Sequence, residues 1–284
     1  MPFQIIDQFS LASGSENEDQ TGHNGIMAWV IDGATDMVDE PLVGKHSDAA
    51  WIANEAQNLL EQMDIEAAAA DLSHLPQQLN EELAKFFQLQ CRRTPQHRWE
   101  HPSATALIVR LGGQVMDWVS VGDCALIAQT PTGLHSVGIG GPDAGDRSVI
   151  GDLKQLNAAN QNMGDNGRKS QMWPTLREKR GARLNREDGY AVLSITPPPP
   201  NLIGHGRIEV KPGSHVLLAT DGLTRLIEVF SRYTPQELLD AAIAHGLETL
   251  CKELRELETQ DGDCLKHPRI KRSDDATGLL LRAT

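Results

Sequence analysis

The chain has 284 residues, 26 Lys or Arg against 39 Asp or Glu, a formal charge of −13 and 39% apolar residues. That length allows one large domain with a substantial core, and so acidic a balance disfavours nucleic acid or an anionic membrane as the main partner, because it repels polyphosphate. No apolar run approaches the ~20 residues of a membrane helix, no leader pattern opens the chain, and Cys91, Cys124, Cys251 and Cys264 lack metal-binding spacing, so a cytoplasmic protein with reduced thiols is expected.

Residues 3–11 alternate in a β-prone pattern, and 25–31 form a compact strand that ends at Asp32-Gly33, with a polar loop between the two. After Ser47, a candidate cap, Ile52, Ala56, Leu59, Leu60 and Met63 recur at helical spacing. A second helix is expected over 76–90. Strands at 104–111 and 114–121 flank Gly112-Gly113, and strands at 124–129 and 134–139 flank a Pro131-Thr132-Gly133 turn, which predicts an antiparallel meander. Residues 140–189 are polar without clear periodicity and are expected to form a mobile lid. A strand at 190–195, an extended linker at 196–200 inside one domain, a strand at 214–220, helices at 235–244 and 247–257, and a last strand at 276–282 complete the reading. The fold class is α+β, with sheets layered against helices.

Carboxylates stand where strands stop. Glu18 and Asp19 occupy the first loop, Asp32 and Asp123 end strands, Asp221 follows 216–220, and Asp274-Asp275 precede the last strand. Any one of them has an ordinary explanation as a turn residue, since Asp-Gly is a common turn dipeptide. Together they predict a convergent cluster whose like charges require a cation, and hard oxygen donors select Mg²⁺ or Mn²⁺. Such a cluster without Cys or His suits two-metal hydrolysis of a phosphate ester. His97 and His101, bracketed by Pro95 and Pro102, are not expected to form a helical metal pair, and the basic run 266–272 reads as a solvated loop.

Six segments occur in a telling order: Asn17-Glu18-Asp19-Gln20, Val30-Ile-Asp32-Gly33, Ser103-Ala-Thr105-Ala, Val119-Ser-Val-Gly122-Asp123, Leu217-Leu-Ala-Thr-Asp221-Gly222 and Ser273-Asp274-Asp275-Ala-Thr277. In this order and spacing the chain resembles the metal-dependent protein phosphatases of the PP2C family, in their bacterial form. The resemblance implies a four-layer αββα sandwich of two antiparallel sheets, one domain over 1–284 with a variable flap near 140–189, and phosphoserine/phosphothreonine hydrolysis with two or three Mn²⁺ or Mg²⁺ ions. It implies a phosphorylated protein as substrate and a cognate Ser/Thr kinase as a further partner. By the same resemblance, Asp32 bridges two metals, the Gly33 carbonyl completes one shell, Glu18 serves the second metal, Asp221 and Asp274 hold the first, and Asp123 helps bind a third. Asp275 stands where many members carry asparagine.

Two positions depart from the pattern. Gly14 replaces the arginine that usually clamps phosphate four residues before the glutamate, and Ala34 replaces a histidine that many bacterial members also lack. Among candidate replacements are Lys45 and the arginines of the polar segment, with Arg177 or Arg183 expected to reach the phosphate. Two alternatives remain: a catalytically silent phosphoprotein-binding module, against which the costly complete acid set argues, and a metal-dependent phosphohydrolase of a small metabolite.

Overall fold

A computed structural model describes residues 3–43, 45, 47–63, 71–140, 151–155 and 164–284. Two antiparallel sheets carry the chain. In spatial order the first holds β1 (Phe3–Leu11), β11 (Ala276–Ala283), β10 (His215–Ala219), β6 (Ala125–Thr130) and β7 (Gly133–Val137). The second holds β2 (Asp19–His23), β3 (Met27–Gly33), β4 (Ser103–Gly112), β5 (Val115–Val121) and β9 (Gly204–Glu209), with the short β8 (Leu193–Ser194) paired to β4.

The layering follows from the two-residue period of a strand. On β3, Met27, Trp29 and Ile31 face helices α1 (Asp48–Gln62) and α2 (Leu75–Gln90), while Ala28 and Val30 face the other sheet. On β10, Val216 and Leu218 fill the inter-sheet core, whereas Leu217 and Ala219 meet α4 (Asp221–Glu228), α5 (Pro235–His245) and α6 (Leu247–Gln260). Three apolar cores therefore separate four layers, the arrangement expected of an αββα sandwich. Trp29 is fully buried, its indole N–H donates to Gln57 Oε1 at 2.6 Å, and Gly22 leaves room for its ring, which a Cβ would approach to 2.9 Å. Ser47 caps α1 by accepting the Ala50 N–H.

Several elements depart from the expectation. The polar segment contains a 19-residue helix, α3 (Asp165–Arg183), while 141–150 and 156–163 of the expected lid lie outside the described residues. Its apolar period is weak because arginine stems and their hydrogen bonds replace aliphatic contacts. Arg168, almost fully buried, donates to the carbonyls of Asp263 and Ile270, each at 3.1 Å, and pairs with Asp165. The linker 196–200 joins β8 and β9 of one sheet, and β2, β9 and α4 are elements that the sequence pattern did not reveal. Residues 266–272 are not a solvated loop: Arg269 is buried and bonded to Asp261, and Lys271 enters the acidic pocket. Among the described residues no helix is long and apolar enough to cross a membrane.

Candidate active site

The inward period of β3 runs Ala28, Val30, Asp32, so the strand that fills the inter-sheet core ends by turning a carboxylate into the same space. Asp19 is its direct partner on β2. Gly33 is required by close approach rather than by a turn, since a Cβ would stand 2.7 Å from the carbonyl oxygens of both Glu18 and Ala49. Its own N–H donates to the Glu18 carbonyl at 3.1 Å, fixing Glu18 beside the end of β3. Across the core, Thr220 follows β10 and donates from Oγ1 to Asp19 Oδ2 at 2.8 Å, and Asp221 opens α4. Gly222 is again a close approach, because a Cβ there would meet the Asp275 carbonyl oxygen at 1.7 Å.

Asp275 builds the loop that carries Glu18, accepting the N–H of Ser13 and that of Glu18, each at 2.6 Å. The Glu18 carboxylate accepts from Ser47 Oγ at 2.5 Å and from Thr35 Oγ1 at 3.4 Å. Asp123 follows Gly122, whose φ of +82° few other residues adopt. Asp32, Asp123, Asp221 and Asp274 thereby line one cavity of about 390 Å³.

Burial and mutual repulsion govern the electrostatics. Burial, followed by the charges of Asp221, Asp19 and Asp123, holds the Asp32 carboxyl well above its ordinary range. Asp221 is raised by burial and by Asp274, and its side chain hydrogen-bonds to Asp32. Asp19 is pushed up to about 8 by burial, against the hydrogen bonds from Thr220 and Thr277. Glu18 is also raised by burial, which Ser47 and Lys271 oppose. Asp274 behaves oppositely: burial disfavours its charge, but Lys271 and Arg225 outweigh burial and hold its carboxyl below the usual range.

Two buried carboxyls in contact, each resisting ionisation chiefly because of its burial, form a donor set that a hard divalent cation satisfies. Asp32, Gly33 and Asp221 line the cavity that such an ion would occupy. Among the described residues, however, no group of three or more Asp, Glu, His or Cys side chains stands ready as a ligand set. Asp274 is engaged elsewhere, accepting from Lys271 Nζ at 2.6 Å and from Arg225 Nη2 at 2.7 Å.

The expected phosphate-binding cations are placed differently. Arg177 donates from Nε to the Met37 carbonyl at 2.9 Å, and its guanidinium lies between Trp99 and Trp173, 4.6 and 5.5 Å from their ring centroids. It is committed to the 34–43 loop and does not line the acidic cavity. Arg183 stacks over Tyr190 at 5.6 Å and lines an adjoining hollow, and Lys45 is exposed and lines neither. The hollow that Arg183 lines shares Asp123 and Arg180 with the acidic cavity. The cations that do line it are Lys169, Arg180, Arg225 and Lys271. Arg180 lies one turn beyond Arg177 on α3 and donates to the Thr35 carbonyl at 3.0 Å. The helical offset of three residues was the available signal, but it required α3 to be known. Gly14 is exposed, with open space where a side chain would stand. His97 stacks on Trp99, 5.6 Å between centroids, instead of pairing with His101.

Over residues 8–258 the chain matches the family model described as protein phosphatase 2C. Similar solved structures include the catalytic domain of the serine threonine protein phosphatase PstP in complex with two manganese ions, at 14% identity and a TM-score of 0.55, covering 98% of this chain and 96% of that one. A Mycobacterium tuberculosis structure of PstP/Ppp gives 14% identity, 0.53, and coverage of 97% and 96%. PppA, a key regulatory component of T6SS in Pseudomonas aeruginosa, gives 16% identity, 0.53, and coverage of 100% and 99%. At these identities the likeness establishes the fold alone. No curated protein matches the chain.

Proposed function

Because the chain belongs to the protein phosphatase 2C family, we propose that it is an active phosphoprotein phosphatase, hydrolysing phosphoserine or phosphothreonine with Mn²⁺ or Mg²⁺. The observation that carries this reading is the Asp32–Asp221 contact at the meeting point of the two sheets, where two buried carboxyls share a hydrogen bond in place of apolar packing. Asp32, Asp221 and the Gly33 carbonyl would hold metal, with Asp123 and Asp274 lining the same cavity and Glu18 joined to it through Thr35. Such ions, when bound, supply an activated water nucleophile and neutralise phosphate charge.

The chain's own groups do the rest. Asp275 holds the Glu18 loop in place through two backbone N–H groups, and Ser47 orients the Glu18 carboxylate. Arg180 presents a planar fork beside the acids, suited to phosphate oxygens, and replaces the cation missing at Gly14. A phosphorylated protein is the substrate and a cognate kinase the partner in this reading, with residues 1–284 acting as one phosphatase domain.

A second reading has one specific observation behind it. Asp274 is already neutralised by Lys271 and Arg225, as a silent phosphoprotein-binding module would require. Assays on a phosphothreonine peptide and a generic aryl phosphate, with Mn²⁺ and then with EDTA, separate the two. Turnover of the peptide that EDTA abolishes is expected. Full activity in EDTA, or a zinc-only requirement, refutes the metal reading. Tight phosphopeptide binding without hydrolysis supports the silent module, and turnover confined to small phosphates points to a metabolite substrate.

A further inference from the structure

Lys271 reaches the acidic cavity from the segment before β11. Its Nζ donates to Asp274 Oδ1 and to Thr35 Oγ1, each at 2.6 Å, and the Thr35 hydroxyl in turn faces Glu18 Oε2 at 3.4 Å. The second Asp274 oxygen accepts from Arg225. Both oxygens of one carboxylate among the candidate ligands are thus held by cations of the protein itself.

The two cations are not equivalent. Arg225 is almost fully buried and anchored at its other end by Glu258, which is itself completely buried, at 3.2 Å. Among the described residues Lys271 donates to the Thr35 hydroxyl and to Asp274, on a flexible four-carbon stem. A divalent ion that uses Asp274 competes with both for its oxygens, and Lys271 is the one freer to leave.

The geometry points to Lys271 as an exchangeable internal counter-ion: it neutralises Asp274 in the metal-free protein, and a divalent metal gains that carboxylate only as the ammonium withdraws. Metal occupancy on the Asp274 side is then weakened by a built-in competitor, so the free divalent concentration sets the fraction of protein that is loaded. This inference rests on the metal reading above, and goes beyond it by assigning the competitor.

Calorimetric titration with Mn²⁺ of the wild-type chain and of Lys271→Met tests it without any assay of turnover. A neighbouring cation changes a carboxylate's proton affinity by ~1–3 log units, so removing the ammonium should tighten Mn²⁺ binding about tenfold or more. Equal or weaker binding by K271M, with measurable binding by the wild type, overturns the exchange and leaves the metal reading intact. No Mn²⁺ binding by either overturns both. Should K271M fail to fold, the wild type decides: after reductive ¹³C-methylation of its lysines, the Lys271 resonance, assigned by its loss in Lys271→Arg, should shift in step with Mg²⁺ binding. A resonance that stays fixed while Mg²⁺ binds rejects the exchange.

Discussion

Asp19 and Asp32 face each other across the β2–β3 ladder, and both are tied across the core, Asp19 to Thr220 and Asp32 to the adjacent Asp221. The residue after Thr220 is Asp221, so Asp19 acts as a spacer that sets the separation of the two carboxylates proposed to hold metal. Replacing Asp19 by Ala leaves the Thr220 and Thr277 hydroxyls without this acceptor, at a cost of about 1–3 kcal/mol. Asp19→Asn keeps an acceptor oxygen and should be nearly neutral. Urea denaturation of both variants in EDTA checks the contrast; equal losses would argue against the spacer.

Asp32→Asn and Asp221→Asn should separate stability from activity. Each removes a charge from a crowded pocket, so the metal-free protein should melt at or above the wild-type temperature. Ligand-supporting residues alone typically cost 10–100-fold, so turnover should fall by about 100-fold or more. At Mn²⁺ near 100 times its Kd the wild type should gain about 2.7 kcal/mol of stability, and the variants little or none. Calorimetric melting with and without Mn²⁺ measures both effects.

The neighbouring arginines of α3 should behave differently. Arg180→Ala is expected to raise KM for a phosphopeptide roughly tenfold, the size of one charge-assisted hydrogen bond, with metal dependence unchanged. Arg177→Ala should leave KM alone and cost about 1–2 kcal/mol of stability, because it removes the Met37 hydrogen bond and the indole stacking. Steady-state kinetics and melting of the pair decide. A raised KM in the Arg177 variant and not in the other would reverse the assignment.

Asp36 provides a pH signature. It accepts the Asp48 N–H at 2.6 Å, and burial lifts its carboxyl to about 7, with repulsion from Asp48 and Glu18 adding to the effect. Below pH ~4 both folded and unfolded chains hold this proton. Between there and about 7 the unfolded chain has released it and the folded one has not, so stability falls as pH rises; beyond 7 the change is complete. A tenfold difference in proton affinity between the folded and unfolded chains is worth ~1.4 kcal/mol, so the wild type should lose a few kcal/mol across this window relative to Asp36→Asn. Parallel stability curves for the two proteins in EDTA would contradict this.

Legibility in the sequence followed the physics of each element. Strands such as β3 and β10 alternate between two cores, and the acids at their ends were visible as interruptions of an apolar run. Among the elements that escaped, two are instructive. Strand β2 reads Asp-Gln-Thr-Gly-His because it is a sheet edge carrying a site acid, and α3 packs through arginines instead of leucines. Gly33 and Gly222 resemble turn residues in sequence, yet each is demanded by a carbonyl from a distant segment. The cations of the cavity were least legible. Arg180 depends on the phase of a helix without an apolar stripe, and Lys271 sits in a basic run whose other members point elsewhere, Arg269 towards Asp261.

The stacking of Arg177 between Trp99 and Trp173 also provides an optical consequence. Of the five tryptophans, Trp29 is sealed beneath α1, whereas these two form the seam between α3 and the segment before β4. Indole emission depends on its immediate polar surroundings, so separation of α3 from that seam would change the fluorescence of Trp99 and Trp173 while Trp29 kept its blue-shifted band. The protein thus carries its own internal reference and reporter, and a Trp99→Phe, Trp173→Phe pair of variants would assign the signal without any attached dye.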